Sequence, residues 1–277
     1  MKNTNNSPFV SVIMPAFNAQ KYITEAIESI LTQSYENFEF IIVDDCSTDT
    51  TATIIKSFKE KDKRITIIKN EENIGVTKSL NKAVAIAKGK YIIRMDADDW
   101  VYPQRLLLQV DLMEHNPDVV VSGSYIEICD KNLKTKYIRK YKLNDADIRE
   151  HIFRYSPFAH PATIWKAEVL KKERYNEVIR VCQDYELYFR VGKIGKFMNL
   201  DKPLLKLRMH DTSVSVTQSD YQLKNTVLIR LSAVLFLGYN MTKLDKFYNF
   251  MQEIFISLIP VKVRFFLFNI LRRFDFY

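Results

Sequence analysis

The 277 residues, 47% hydrophobic and 13% aromatic, can bury the core of one large domain with an appendage, and only six glycines and eight prolines exclude a linker-rich or low-complexity chain. Three scattered cysteines, Cys46, Cys129 and Cys182, form no C-x-x-C pair or zinc spacing, which fits a reducing cytosol. The net charge of +8 (41 basic minus 33 acidic) admits nucleic acid, a membrane surface or an anionic substrate as partner; MKNTNNSPF lacks the apolar core of a signal peptide, and no uncharged apolar run approaches the ~20 residues of a membrane helix.

VSVIMPAF (10–17) is a nearly continuous apolar run, as expected of a strand covered on both faces. Tyr22, Ile23, Ala26, Ile27, Ile30 and Leu31 then recur at helical spacing. FEFIIV (38–43) is a second strand, and Ala52, Ile54, Ile55 and Phe58 mark a second helix. RITIIK (64–69) is a third strand; Leu80, Ala83, Val84 and Ala87 mark a third helix, ended by Gly89. KYIIRM (90–95) is a fourth strand, and Pro103 can open a helix carrying Leu106, Leu107, Val110 and Met113.

The second half reads as mixed. DVVVSGSYIEI and KYIRKY look like antiparallel strands, DADIREHIFRY like a helix, PATIW like a short strand, QDYELYFRVGKIG like a helix and KPLLKLRMH like a strand. From Tyr221 the chain reads as three helical stretches, LKNTVLIRLSAVLFLGY, LDKFYNFMQEIFISLI and VKVRFFLFNILRRF. Eight Lys/Arg against three Asp/Glu in this last part give five of the eight net charges.

Strands alternating with amphipathic helices predict a parallel sheet covered by helices, with ligands beyond the carboxyl ends of its strands. Those ends read PAFN, DDCSTD, NEENIG and DADD, more polar than turns require. No G-x-G-x-x-G, P-loop or G-x-S-x-G motif is present. Asp96 and Asp98, two residues apart at a strand end, share a face. Hard divalent cations prefer such oxygens, and magnesium or manganese commonly joins carboxylates to a substrate diphosphate. The competing local role is a cap on the following helix, to which Asp99 is assigned.

Three stretches carry a further message: VSVIMPAFNAQKYITEAIESILTQSYENFEFIIVDDCSTDTT, NIGVTKSLNKAVAIAKGKYIIRMDADDW and QDYELYFR. Together, in this order and over roughly the first 210 residues, they resemble the family 2 glycosyltransferases of GT-A fold. The resemblance implies an α/β, Rossmann-like nucleotide-diphospho-sugar transferase sheet with a C-terminal helical extension. It implies a nucleotide-sugar-binding half over 1–105, an acceptor-binding half over 106–220 and the extension over 221–277. It also implies inverting transfer of a sugar from a nucleotide diphosphate, UDP being the expected carrier, to a hydroxyl of a glycan or lipid-linked acceptor, with Mn2+ or Mg2+ as cofactor.

Residue by residue, the resemblance implies that Pro15, Ala16 and Phe17 flank the base, with Asn18 a turn residue. Asp45 hydrogen-bonds the base, with Asp44 beside it; capping of the next helix is the local alternative. Gly75 lets the backbone pass close to the donor, and Lys78 is read as solvated. Asp96 resembles the residue near the ribose or sugar, and Asp98 the metal ligand. Asp184 resembles the catalytic base, behind a Gln183 where the family most often has Glu; its local alternative is an N-cap. Arg208 is expected to meet a phosphate, and His210 to be a metal or phosphate ligand. His160 is read as a turn residue, and Trp165 and Tyr185 as core. The basic, aromatic stretch 254–277, with Lys262, Arg264, Arg272 and Arg273, suits a membrane interface, with a homodimer interface or a cap on the core as alternatives. The expected location is cytoplasmic and peripheral at the inner face of the cell membrane, with no nucleic-acid partner. A sugar nucleotidyltransferase is disfavoured because PAFNAQKY has no glycine. A non-catalytic assembly protein is disfavoured because Asp45, Asp96, Asp98 and Asp184 occur together.

Overall fold

The computed structural model describes residues 7–210 and 219–258. Its first part alternates strand and helix: β1 (Val10–Ala16), α1 (Ile23–Leu31), β2 (Phe38–Asp44), α2 (Thr51–Lys61), β3 (Ile65–Lys69), α3 (Val76–Ile86) and β4 (Tyr91–Arg94). Then come β5 (Trp100–Val101), α4 (Arg105–His115), β6 (Val119–Cys129), β7 (Thr135–Arg139) and α5 (Asp145–His151). A 3-10 turn (His160–Ala162) leads to β8 (Ile164–Lys166), α6 (Ala167–Glu173), α7 (Gln183–Val191) and β9 (Lys196–Arg208). Two helices close the described chain, α8 (Ser219–Leu237) and α9 (Lys243–Leu258).

All nine strands form one sheet, ordered β3-β2-β1-β4-β8-β6-β9-β5, with β7 on β6. β1 to β4 are mutually parallel, as expected, so their carboxyl ends share one edge. β8 runs antiparallel to β4 and β6, and β6 antiparallel to β7. Strands from both sides of residue 105 therefore belong to the same sheet.

The continuous apolar runs are explained by burial on both faces. Val10, Val12 and Met14 pack with Phe40 and Ile42 against α1 and α4. Ile13, Ile41 and Val43 point the other way, toward α3 and α7. This is the period of two that a strand imposes on its side chains. Trp165 is fully buried and stacks on Tyr188 at 5.6 Å, and Tyr185 is buried beside Phe189, so both are core residues.

Four elements differ from expectation. β5 is two residues long, too short to show a period, and pairs with β9. α6 was not anticipated. α4 starts at Arg105, two residues after Pro103, whose carbonyl instead accepts the Ser34 amide at 2.9 Å. β9 begins at Lys196 rather than Lys202; the register with β6 shifts between Ser124 and Tyr125, and Asp201 and Lys202 bulge into solvent there. A charged pair followed by Pro203 reads as a strand start, but bulges accommodate both features. The third C-terminal helix, over 261–274, lies outside the described residues.

A buried polar network fixes α8 and α9 to the domain. Arg230 donates to the Asn249 and Gln252 side chains, the Tyr185 hydroxyl and the Arg154 carbonyl. Arg154 in turn pairs with Asp245 at 2.9 Å, and Asp245 is 2% exposed. Asp245→Ala would strand the Arg154 charge and also remove the acceptor of Thr242. Loss of one partner from a buried pair costs about 3 kcal/mol or more, so urea unfolding should show stability reduced by that amount.

Candidate active site

The carboxyl edge of the parallel strands gathers the polar residues. Near the end of β1, Pro15 lies past the last residue paired with β4, so on that side a missing N–H costs the ladder nothing. Ala16 is buried and Phe17 is 48% exposed. Asn18 adopts φ 49°, and its side-chain carbonyl accepts the Thr48 amide at 2.8 Å, so it is a turn residue that ties the first loop to the second.

Asp44 and Asp45 end β2 and are both buried. Asp44 accepts the Ser47 amide through Oδ1, whereas its Oδ2 is buried without a partner. Asp45 holds the loop after β3: it accepts from the Ile74 and Gly75 amides at 2.9 and 2.8 Å and from the Asn70 side chain at 2.8 Å. A carboxylate offers about four acceptor sites, so these three donors leave room for one more. Neither residue caps the α2 N-terminus, where no side-chain cap bond is present. Gly75, the N-cap of α3, has φ 86° and ψ 162°. A Cβ placed there would meet nothing within 4 Å, so its backbone faces open space. Lys78 is exposed.

The loop after β4 carries the acidic cluster. Oxygens of Asp96, Asp98 and Asp99 lie within 4.8 Å of one another. Asp96 is clamped by Arg94, both carboxylate oxygens at 2.5 Å from guanidinium nitrogens. Burial disfavours the Arg94 charge, yet Asp96 and Asp99 outweigh it and hold the guanidinium above its usual range. Desolvation and the neighbouring Asp98 nevertheless push the Asp96 carboxyl up. Asp99 is more affected: burial, then Asp98 and Asp96, raise it well above an ordinary carboxylate. It does not cap α4, whose N-cap is Gln104; it accepts the Arg208 amide at 3.0 Å and leaves Oδ2 buried and unpartnered.

His210, just past β9, places Nε2 2.8 Å from Asp98 Oδ2. The donor set is therefore carboxylate oxygen and imidazole, with excess negative charge and an unsatisfied oxygen. These residues fit a hard divalent cation. Arg208 was expected to meet a phosphate. Its guanidinium is buried and donates to the carbonyls of Asp98 and Lys131, both at 2.7 Å, and to Glu25 at 2.5 Å. Tyr22 lies under it at 4.4 Å and also against His210. Arg208 thus fixes the acidic loop from behind.

Asp184 stands in the first turn of α7. It is not the N-cap: that position is Cys182, at φ 67° and without a side-chain cap bond. Burial raises the Asp184 carboxyl, while Arg94 and the amides of Asp184 and Tyr185 oppose the rise. Asp184 also acts on Asp96, so the chain brings two carboxylates 88 residues apart (184 − 96) into one field, with the Arg94 charge acting on both. His160 occupies the 3-10 turn, as expected, but is buried against the Tyr175 hydroxyl at 2.8 Å. Burial and Arg94 keep its imidazole well below the usual range, hence neutral. Sequence reading missed Arg94, Tyr22 and Glu25. Arg94 had a signal, a charge inside a buried strand immediately before the aspartates; the other two lie on an ordinary amphipathic helix.

The sequence model described as Glycosyl transferase family 2 matches residues 11–182. An uncharacterized glycosyltransferase of Methanocaldococcus jannaschii is 40% identical over 210 residues, 74% of this chain and 72% of its own. A Bacillus subtilis protein, TuaG, named as a teichuronic acid biosynthesis glycosyltransferase, is 43% identical over 110 residues, covering 40% of this chain and 44% of its own. Among solved structures, Staphylococcus aureus TarS 1–349 in complex with UDP aligns with TM-score 0.66 at 21% identity, covering 86% of this chain and 68% of that one. The mannosyltransferase PcManGT of Pyrobaculum calidifontis, in complex with GDP-Man and Mn2+, aligns with TM-score 0.63 at 17% identity, covering 92% and 72%. The fold is that of the GT-A glycosyltransferases. The chain belongs to glycosyltransferase family 2 and is a glycosyltransferase.

Gly75 offers a direct check of the loop. A side chain at this φ is strained even without a clash, at roughly 1–3 kcal/mol. Gly75→Ala should lower the melting temperature accordingly, which a thermal denaturation curve would read.

Proposed function

We propose that this enzyme transfers a sugar from a nucleotide diphosphate, UDP being the expected carrier, to a hydroxyl of a glycan or lipid-linked acceptor, with inversion, in building a bacterial surface polysaccharide. The observation that carries the proposal is the cluster of Asp96, Asp98 and Asp99 clamped by Arg94, with Asp184 in the same electrostatic field. The name of TuaG supports the polysaccharide setting, and the nucleotides in the titles of the aligned structures support the donor class.

In this reading Pro15, Ala16 and Phe17 flank the base, and the free acceptor site of Asp45, beside Asp44, takes the imide N–H of uracil. The Gly75 backbone lies along the donor. Asp96, oriented by Arg94, contacts the ribose or sugar. Asp98 and His210 would hold Mn2+ or Mg2+, which when bound offsets the charge growing on the leaving diphosphate. Arg208 is a positioning residue for that loop.

Asp184 is the general base. The acceptor hydroxyl oxygen forms a bond to the anomeric carbon while its proton passes to Asp184. The bond from that carbon to the diphosphate oxygen breaks, and its electron pair leaves with the diphosphate. One carboxylate opposite the leaving group gives a single displacement and inversion.

Asp184→Asn should abolish transfer while a thermal-shift assay still shows donor binding; near-normal turnover would remove Asp184 from the mechanism. Because burial raises this carboxyl, and the base acts only when ionised, kcat/KM should climb with pH through a limb above the ordinary carboxylate range. A profile already flat at pH 4 to 5, the ordinary range, would contradict the assignment. Chelation should suppress transfer, and added Mn2+ should restore it.

A further inference from the structure

No helix among the described residues is long and apolar enough to cross a membrane. The C-terminal helices nevertheless expose an unusual amount of apolar surface. On α8, Tyr221, Leu228, Leu231 and Leu235 recur at intervals of seven, three and four, which places them on one stripe, and Leu235 is 72% exposed. Phe236 beside them is 80% exposed. On α9, Phe247 and Phe250 are 61% and 58% exposed on the side away from buried Asp245 and Asn249. The opposite faces are fully used: Val227, Ile229 and Ala233 are buried, and Arg230 bridges the two helices. The exposed stripe of each helix is thus apolar although nothing in the domain core requires it.

The charges around it are one-sided. Lys224 falls on the α8 stripe and Lys243 and Lys246 flank the α9 phenylalanines, all exposed, against Glu253 as the one exposed acid on these helices among the residues whose burial is described. The sequence continues through 259–277 with four basic residues and Asp275 as its only acid, among many large apolar ones. Bulky apolar side chains with lysines at their margin match the boundary between acyl chains and anionic headgroups. A second copy fits less well, since a two-fold contact sets each lysine-rich face against its like.

We propose that the outward face of α8 and α9 docks on an anionic membrane surface. Docking there has a mechanical link to the site. α8 holds the turn before α7: Asn225 donates to the Val181 carbonyl at 3.1 Å, and the Cys182 thiol donates to the Gln222 carbonyl at 3.6 Å. The helix that rests on the lipid therefore also supports Asp184, the arrangement a lipid-linked acceptor needs. The docking itself does not depend on Asp184 being the base.

The test is co-sedimentation of the full chain with vesicles of phosphatidylcholine containing roughly one-third phosphatidylglycerol, and with phosphatidylcholine alone. The wild type should bind the anionic vesicles, bind neutral ones at least about tenfold more weakly, and be released by high salt. The variant L235E/F236E/F247E, all at exposed positions, should lose about tenfold or more of that binding while its thermal shift with UDP stays unchanged. A milder variant, F236S/F247S, should show an intermediate loss and covers the case in which the triple variant misfolds. Equal binding by wild type and a folded variant overturns the proposal. So does a wild type that ignores anionic vesicles but runs as a dimer that the variant dissolves, which would assign the face to a second copy.

Discussion

Bringing Asp96, Asp98, Asp99 and Asp184 toward one edge of a sheet is the costly step in this structure. Two carboxylates about 5 Å apart repel by roughly 3 kcal/mol at an effective dielectric near 20, and burial adds to that. Arg94 offsets part of it from the last position of β4, where its side chain is 6% exposed and both Asp96 oxygens are within 2.5 Å. It sits in the centre of the sheet, on a strand paired to β1 on one side and β8 on the other. The remaining imbalance, concentrated on Asp99 and around Asp98, is the charge a divalent cation would complete.

A second clamp supports this arrangement from the other side of the loop. Arg208, at the end of β9, reaches the Asp98 carbonyl, Glu25 of α1 and the Lys131 carbonyl beyond β6. Its own amide is received by Asp99. The loop is therefore held between a strand of the first half and a strand of the second, and His210 follows two residues later. Geometry at Asp98 is set by the pairing of β5, β6 and β9 as much as by β4 itself.

How much of this was legible in the sequence depended on whether the signal was local. Parallel strands β1 to β4 announce themselves as apolar runs because burial on both faces leaves no room for polar residues. The DADD and DDCSTD ends were legible for the opposite reason, too much charge for a turn. Asp184 was readable only through resemblance, since a lone aspartate at a helix start looks like a cap; its place at the second helical position, with Cys182 as cap, emerges from the backbone. Arg208 carried no local sign of its packing: its burial and its three protein acceptors come from residues far away in sequence. The Asp45 grip on the Gly75 loop joins residues thirty apart with no period or spacing to reveal it.

The left-handed backbone at Cys182 has a consequence for how the chain is divided. This residue lacks the freedom of glycine, and burial, then Asp184, pushes its thiol up to about 12, so it serves as a neutral pin. What keeps the pin seated comes largely from α8, through Gln222 and Asn225. The helical extension therefore holds the turn from which α7 starts, and exchanging it between related enzymes would be expected to shift the start of α7 as well. Modularity in this chain does not break at residue 221, because α8 and the turn before α7 are tied together.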